Sequence, residues 1–313
     1  MRALVTGGAG FIGSNIVDAL LGRGDDVVVI DDLSTGKEEN LVEARARGAE
    51  LRVLDIRDAD ALSEAVAEAQ PEAIFHLAAQ IDVRKSIANP AWDATINVAG
   101  TINVLEAARR HRVARVVNSS TGGAIYGDAE TIPSPESLPP FPEAAYGQSK
   151  LAAEGYLGLY ERLYGFSSIT LRYGNVYGPR QDPLGEAGVI AIFCGALATG
   201  RRPKIFGDGK QTRDYVYVGD VVAANLAAAA ATATGSFNVG TQTETSVLDL
   251  VAVLGELAGV DFEPEFAPGR LGELQRSCLD ITRARSVLGW EPTLAIREGL
   301  RVTLEASRPS QRR

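Results

Sequence analysis

The feature that most constrains this chain is a turn near its start, Thr6-Gly7-Gly8-Ala9-Gly10-Phe11-Ile12-Gly13. It separates an apolar run at residues 3–6 from an amphipathic stretch at 12–22. Gly7, Gly10 and Gly13 recur at every third position, and Gly8, Gly10 and Gly13 also satisfy G-x-G-x-x-G. Glycine permits a tight turn and lets backbone approach a bound anion closely. A helix that opens there aims free N–H groups and the positive end of its dipole at a pyrophosphate. A tight turn alone would also explain the glycines, but this one follows a strand, opens a helix, and is followed by a strand ending in an acid.

The rest of the first half keeps that rhythm. Apolar runs at 27–31, 52–55, 73–77, 115–118 and 168–173 read as buried strands, and 59–69, 93–110 and 144–164 as helices between them. Continuous apolar strands alternating with helices predict an α/β fold, a doubly wound parallel sheet covered on both faces. Gly174, Gly178, Pro179, Pro183, Gly185 and Gly188 then crowd a short stretch, which sets a boundary near 174–180. The division predicted is a dinucleotide-binding domain over 1–176 and a smaller domain over 177–313. In the latter, helices are expected near 187–199, 219–231, 246–258, 282–288 and 296–306, with a strand at 237–240. Residues 214–218 followed by a helix look like another strand–helix unit, so the chain is expected to return to the first domain near 213–240. The polar tail, 307–313, is expected to fray.

Composition narrows the function. The 313 residues are 45% hydrophobic and 23% charged, the balance of a soluble globular chain with core enough for about two domains. A net charge of -9 argues against general nucleic-acid binding. Two cysteines, Cys194 and Cys278, are too few for a disulfide framework, and the only histidines, His76 and His111, form no metal-binding cluster with them. Neither a signal peptide nor a membrane-spanning stretch is visible, so a soluble cytoplasmic protein is expected.

Three further segments carry candidate chemistry. Asp31 ends the second strand 18 residues after Gly13, where a carboxylate can accept hydrogen bonds from an adenosine ribose and repel a 2′-phosphate. That favours NAD over NADP; the alternative is a turn of Asp31 and Asp32 with Ser34, Thr35 and Gly36. Asp55 ends the third strand and would reach an adenine edge or merely close a turn. Tyr146 and Lys150 stand four apart at the start of a predicted helix, on one face. A free tyrosine has a pKa of about 10, and a nearby ammonium together with a positive nicotinamide ring would lower it toward a working base. Ser119-Ser120-Thr121-Gly122-Gly123 follows another strand, where hydroxyls would either hold a reacting oxygen or form a Ser/Thr turn.

With these residues in hand, the chain resembles the extended short-chain dehydrogenase/reductase family over nearly its whole length. The glycine turn, His76-Leu77-Ala78-Ala79, Asn97, the Ser/Thr segment and Tyr146-x-x-x-Lys150 carry the likeness. The segments 171–179 and 213–218 extend it. Within the family it most resembles the UDP-glucose 4-epimerase branch. The resemblance implies a Rossmann-type sheet, a tightly held NAD, a UDP-sugar substrate and a homodimer that pairs helices near 93–110 and 144–164. It places Gly7, Gly10, Phe11, Ile12 and Gly13 along the pyrophosphate, Asp31 and Asn40 at the adenosine, and Asp55 and Ile56 beside adenine. Leu77, Ala78, Ala79, Asn97 and Ser119 would follow the cofactor, with Lys150 on the nicotinamide ribose and Tyr173 and Val176 near the nicotinamide. Tyr146 and Thr121 would be catalytic. Asn175, Phe206, Arg213, Arg270 and Ser277 would meet the sugar nucleotide, the two guanidiniums on its diphosphate. Thr121 stands where many members carry Ser, and Gly174 where some carry a bulky aromatic.

The reaction type rests on what is missing. Oxidising and re-reducing a sugar C4 needs one base and one cofactor, whereas dehydratase relatives carry acids just after the catalytic threonine to eliminate water. Here Gly122, Gly123 and Ala124 follow Thr121, and none can move a proton. This favours 4-epimerisation over a dehydratase; a reductase or another nucleotide-sugar epimerase on the fold stays open, and Tyr146 with Lys150 argues against a non-catalytic NAD-binding protein. In the epimerase pattern a Tyr at position 277 closes the sugar pocket to an N-acetyl group; Ser277 is small, so the N-acetylated pair would fit beside the plain hexoses.

Overall fold

A computed structural model describes residues 1–183, 188–269 and 274–307. The chain runs β1 (Arg2–Thr6), α1 (Phe11–Gly22), β2 (Asp26–Asp31), α2 (Val42–Ala46), β3 (Glu50–Val53), α3 (Ala59–Ala69), β4 (Ala73–His76), α4 (Val83–Ala88) and α5 (Pro90–Ala94). A π-helical stretch, Thr95–Gly100, leads into α6 (Thr101–Arg110), followed by β5 (Arg115–Thr121), α7 (Gly122–Ile125), α8 (Ala145–Tyr164), β6 (Ser168–Tyr173) and β7 (Asn175–Tyr177). Then come α9 (Val189–Ala198), β8 (Lys204–Phe206), β9 (Thr212–Tyr217), α10 (Val218–Ala230), β10 (Gly235–Val239), β11 (Glu244–Ser246), α11 (Val247–Ala258), β12 (Glu265–Ala267) and α12 (Ile296–Ser307).

Seven strands form one sheet in the order β10-β6-β5-β4-β1-β2-β3, every pairing parallel. One apolar cluster joins Ile16 and Leu20 of α1 to Val221 and Ala224 of α10 through Val5, Val29 and Leu171 of the sheet. A second joins Leu62 and Val66 of α3 to Val104 of α6 and Leu157 of α8 through Leu4, Ile30 and Ile74. Successive side chains along a strand point to opposite faces, so Leu4 and Val5 entering different clusters means that both faces are covered. The expected doubly wound, Rossmann-type sheet is therefore present. Its order reverses between β1 and β4, the crevice where such sheets bind ligands.

The later residues build smaller sheets. β9 lies between β7 (parallel) and β11 (antiparallel), and β8 pairs with β12. Residues 214–218 therefore do not extend the main sheet; the chain rejoins it with α10 and β10. Gly174 marks the junction: a β-carbon there would lie 2.7 Å from the Asp214 carbonyl oxygen, so a bulky residue has no room. The helix expected at 93–110 is broken by the π-helical stretch. Thr101 donates its hydroxyl to the Asn97 carbonyl (2.8 Å), a side-chain bond that competes with the regular ladder. The stretch expected as a helix at 282–288 likewise contains a π turn, Ala284–Leu288. No helix among the described residues is long and apolar enough to cross a membrane.

Candidate active site

The glycine turn sits at the sheet's point of reversal. Gly7 has φ +68°, and its N–H donates to the Ile30 carbonyl at 2.7 Å. A β-carbon on Gly7 would lie 2.6 Å from the Ala78 nitrogen, and one on Gly13 only 2.1 Å from the Gly7 oxygen. α1 begins at Phe11 with Gly10 as its N-cap and no side chain capping it, so Phe11, Ile12 and Gly13 form an unblocked helix start. A backbone cradle that tolerates no side chains, beside an uncapped helix start, fits the pyrophosphate of a dinucleotide.

On the adenosine side, Asp31 is buried and accepts hydrogen bonds from the Ala9 and Leu33 backbone N–H groups, both at 2.9 Å. Burial nevertheless raises its pKa. Each oxygen keeps a lone pair for a ribose hydroxyl, so the turn and ligand roles are compatible. Gly36 abuts this carboxylate: a β-carbon there would be 2.6 Å from Oδ1. Asn40 donates to the Ala9 carbonyl (2.9 Å), bracing the turn from outside. Asp55 is clasped by Arg57, which holds its carboxyl below the usual range, and Ile56 is a core residue packed against Gly100.

Beside the turn, Leu77, Ala78 and Ala79 leave β4. Leu77 N–H donates to the Thr6 carbonyl at 3.0 Å and Ala78 N–H to the Thr6 hydroxyl at 3.3 Å. His76 lies between the Thr6 hydroxyl (2.7 Å) and the Thr101 hydroxyl (3.0 Å), and burial, reinforced by the Lys150 charge, drives its pKa down to about 3. It is a neutral strut. Asn97 has both amide hydrogens engaged, by the Gln80 carbonyl (2.9 Å) and Asp93 (3.0 Å), while its oxygen accepts from Gln80 N–H (2.9 Å). It shapes the loop after β4, with one lone pair spare for a ligand. Ser119 donates to the His76 carbonyl (2.9 Å).

The catalytic candidates meet where β5 gives way to α7. The Thr121 hydroxyl accepts from Ala124 N–H (3.1 Å), capping α7, and also hydrogen-bonds the Tyr146 phenol. The turn role and the site role of that hydroxyl therefore coexist. Tyr146 opens α8 half-buried, its N–H donated to the Ser86 hydroxyl at 3.0 Å, and Lys150 lies one turn on, buried. The chain's own groups do not, on balance, lower the phenol; the expected lowering joins Lys150 to a positive nicotinamide ring, and only the first of these belongs to the chain. Burial first, then the Asp93 charge, push Tyr146 up to about 12, against the opposing bond from Thr121. Burial also draws Lys150 down to about 8, with Glu154 and Asp93 resisting. Desolvation of a buried hydroxyl thus outweighs the i,i+4 pairing inferred from spacing.

The substrate-side candidates divide. The Asn175 amide oxygen would stand 3.6 Å, and the Thr121 hydroxyl 4.0 Å, from a β-carbon on Gly123, so both border the same spot. A β-carbon on Gly122 would lie 2.5 Å from the Leu279 side chain. Arg213, on β9, donates to the Thr212 carbonyl (2.8 Å), and Ser277 N–H reaches that same carbonyl at 3.2 Å, so these two are neighbours. Phe206 ends β8 with the Lys204 ammonium over its ring, and Arg270 lies outside the described residues. Val176 lies on β7, its carbonyl taken by Gln181 (3.1 Å). Tyr173 is a core residue: its hydroxyl is bonded to Asn225 of α10 at 2.9 Å, and burial raises its pKa.

Spacing did not point to Ser86, Gln80 or Asp93. The one signal for this segment is Asn89-Pro90, an N-cap followed by proline at the first helical position.

Residues 3–240 match the NAD dependent epimerase/dehydratase family, and the chain belongs to it. It is 52% identical over 307 residues to a UDP-glucose 4-epimerase of Mycolicibacterium smegmatis, covering 97% of this chain and 98% of the relative. The Thermotoga maritima UDP-glucose 4-epimerase, solved with UDP-glucose, superposes with a TM-score of 0.94 at 46% identity, covering 98% of each chain. The Thermus thermophilus UDP-glucose 4-epimerase, solved with NAD, superposes at 0.92 with 42% identity, covering 99% of this chain and 100% of that one.

Proposed function

We propose that this protein is a UDP-hexose 4-epimerase that interconverts UDP-glucose and UDP-galactose through a transient 4-ketose. The observation that carries the reading is the bond of Thr121 to Tyr146 one helical turn from Lys150, followed by Gly122, Gly123 and Ala124 where elimination would need an acid. Gly7, Gly10, Phe11, Ile12 and Gly13 would hold the NAD pyrophosphate, Asp31 the adenosine ribose and Lys150 the second ribose. When bound, NAD supplies a reversible two-electron acceptor and a positive ring that favours phenolate.

Tyr146 then takes the proton from the sugar 4-hydroxyl and later returns it. Thr121 donates to the same oxygen and steadies it as its charge changes. The buried walls that desolvate the phenol and Lys150 keep water from the ketose. Asn175 and Arg213 would meet the nucleotide diphosphate and Phe206 the base, and the family pattern assigns the diphosphate to Arg270 as well. In this division residues 1–176, with the return near 213–240, hold the cofactor and 177–313 the sugar nucleotide. Ser277, half-buried beside Arg213, leaves room for an N-acetyl group; Ser277→Tyr should narrow any activity on the N-acetylated pair.

The assembly we infer is a homodimer through helices near 93–110 and 144–164, supported by the exposed Tyr156, Leu163 and Tyr164 on α8. A chain whose two cysteines are both unpaired suits the reducing cytoplasm, and interconversion of UDP-glucose and UDP-galactose would place it in galactose metabolism. Purified protein incubated with UDP-glucose and no added cofactor should form the galacto product, followed by NMR. A 4-keto-6-deoxy product, or a net change at the nicotinamide absorbance band, would replace the epimerase reading with a dehydratase or a reductase.

A further inference from the structure

Asp93 has no place in the scheme above, yet its carboxylate is fully buried on α5, which packs against α8. Oδ1 is gripped by Gln80 Nε2 (2.7 Å) and Asn97 Nδ2 (3.0 Å). Oδ2 has no hydrogen-bond partner among the described residues. The clamp is stiff. Gln80 is itself tied to the Asp82 carbonyl (3.0 Å), and Asp82 caps α4, whose Ser86 receives the Tyr146 N–H. A buried carboxylate with one satisfied and one orphaned oxygen costs free energy unless a positive charge answers it.

The charges around it single out one cation. On α8, Glu154 lies closest in sequence to Lys150 and supports its charge, but its carboxylate is already held in a buried pair with Arg172 of β6 (2.6 Å) and accepts from Ser120 (2.6 Å). Asp82 is flanked by Arg84 and Lys85 at 3.8 Å, both largely exposed. His76 of β4 is neutral, and Tyr146 is a neutral phenol. That leaves the Lys150 ammonium, buried and bonded to no carboxylate among the described residues, as the charge answering Asp93. We propose that Asp93 is a positioning residue for the reaction, a fixed buried counter-charge that keeps Lys150 protonated and directed at the Tyr146 end of the site. This rests on the roles given to Tyr146 and Lys150 above. Asp93 acts on both groups: it supports the Lys150 charge, after the larger contribution of Glu154, and it raises the Tyr146 phenol.

Asp93→Asn is the discriminating change, because Asn retains an oxygen for Gln80 and Asn97 and removes only the charge. With five lysines in the chain, the Lys150 side-chain resonance of isotope-labelled protein can be assigned by its loss in Lys150→Met and titrated without any turnover. The Lys150 midpoint should fall by about one pH unit in Asp93→Asn, the scale of one buried charge acting through the protein interior. The alkaline limb of kcat should move down with it. A purely structural role would lower activity or thermal stability and leave the midpoint in place, and an unmoved midpoint overturns the proposal. Should Asp93→Asn fail to fold, Asp93→Ser repeats the loss of charge with a smaller side chain and is judged by the same midpoint. Absence of epimerase turnover in the unaltered protein strikes the functional reading alone, since the titration still decides this one.

Discussion

Gly13→Ala tests the idea that the turn is a cradle shaped by missing side chains. The added methyl would begin 2.1 Å from the Gly7 oxygen and 2.8 Å from the Gly8 α-carbon, against 3.4 Å for ordinary contact. Both obstacles are backbone, so no side chain can swing aside; the turn must move by more than an ångström. Overpacking of this kind costs about 1–3 kcal/mol. The displaced groups are those that would meet the pyrophosphate, so NAD affinity should fall by about 10-fold to 100-fold, the equivalent of roughly 1.4–2.8 kcal/mol. Gly24→Ala is the control. Gly24 has φ +83° with nothing within 4 Å of its would-be β-carbon, so substitution strains the backbone by about 1 kcal/mol without touching the turn. Urea unfolding and calorimetric titration with NAD would be run on both. Comparable destabilisation with NAD binding lost only in Gly13→Ala is expected; NAD binding in Gly13→Ala within about threefold of the unaltered protein would refute the cradle.

Tyr146→Phe should keep fold and NAD binding while lowering turnover by about 100-fold or more, as for other lost acid–base groups; near-normal turnover means the base lies elsewhere. His76 should make the fold acid-sensitive. Its folded pKa, about 3, lies below the usual 6.5, so its contribution is intact above 6.5 and lost as pH falls toward 3, at up to roughly 1.4 kcal/mol per pH unit. Urea midpoints between those limits would show the slope, and His76→Gln should flatten it. Arg172→Met leaves Glu154 buried without its cation and should cost about 3–5 kcal/mol of unfolding free energy, whereas an exposed pair such as Arg202–Glu263 should cost under 1 kcal/mol when broken.

What could be read from sequence and what could not divide along physical lines. The strands of the main sheet are continuous apolar runs between long amphipathic helices, and periodicity located all of them to within a few residues. β7, β8, β11 and β12 have three residues each, too few to show a period. α4 spans only six residues and owes its start to the Asp82 cap. At the site, the glycine turn was legible because backbone clearance dictates residue type directly. At Tyr173 the sequence does not show where the hydroxyl goes; that is decided by Asn225, some fifty positions later. Asp93 could not be read at all, since its meaning comes from α5 lying against α8.

The largest departure concerns how the phenol is made into a base. Spacing puts an ammonium one turn from Tyr146, and in water that would suffice to lower its pKa. In the fold the same burial acts on both members with opposite signs, raising Tyr146 to about 12 and lowering Lys150 to about 8, because each neutral form is the one that tolerates a low dielectric. Thr121 opposes this at the phenol, while Asp93 and Glu154 oppose it at the lysine. Burial and the Asp93 charge therefore favour a protonated phenol at neutral pH, and the positive ring of the oxidised cofactor must offset them. A base gated this way is available only when oxidised cofactor is in the site. It follows that the Tyr146 phenol, titrated by its ultraviolet absorbance change, should ionise at lower pH with NAD bound than with NADH bound. Equal midpoints in the two states would mean that the ring charge does not reach the phenol.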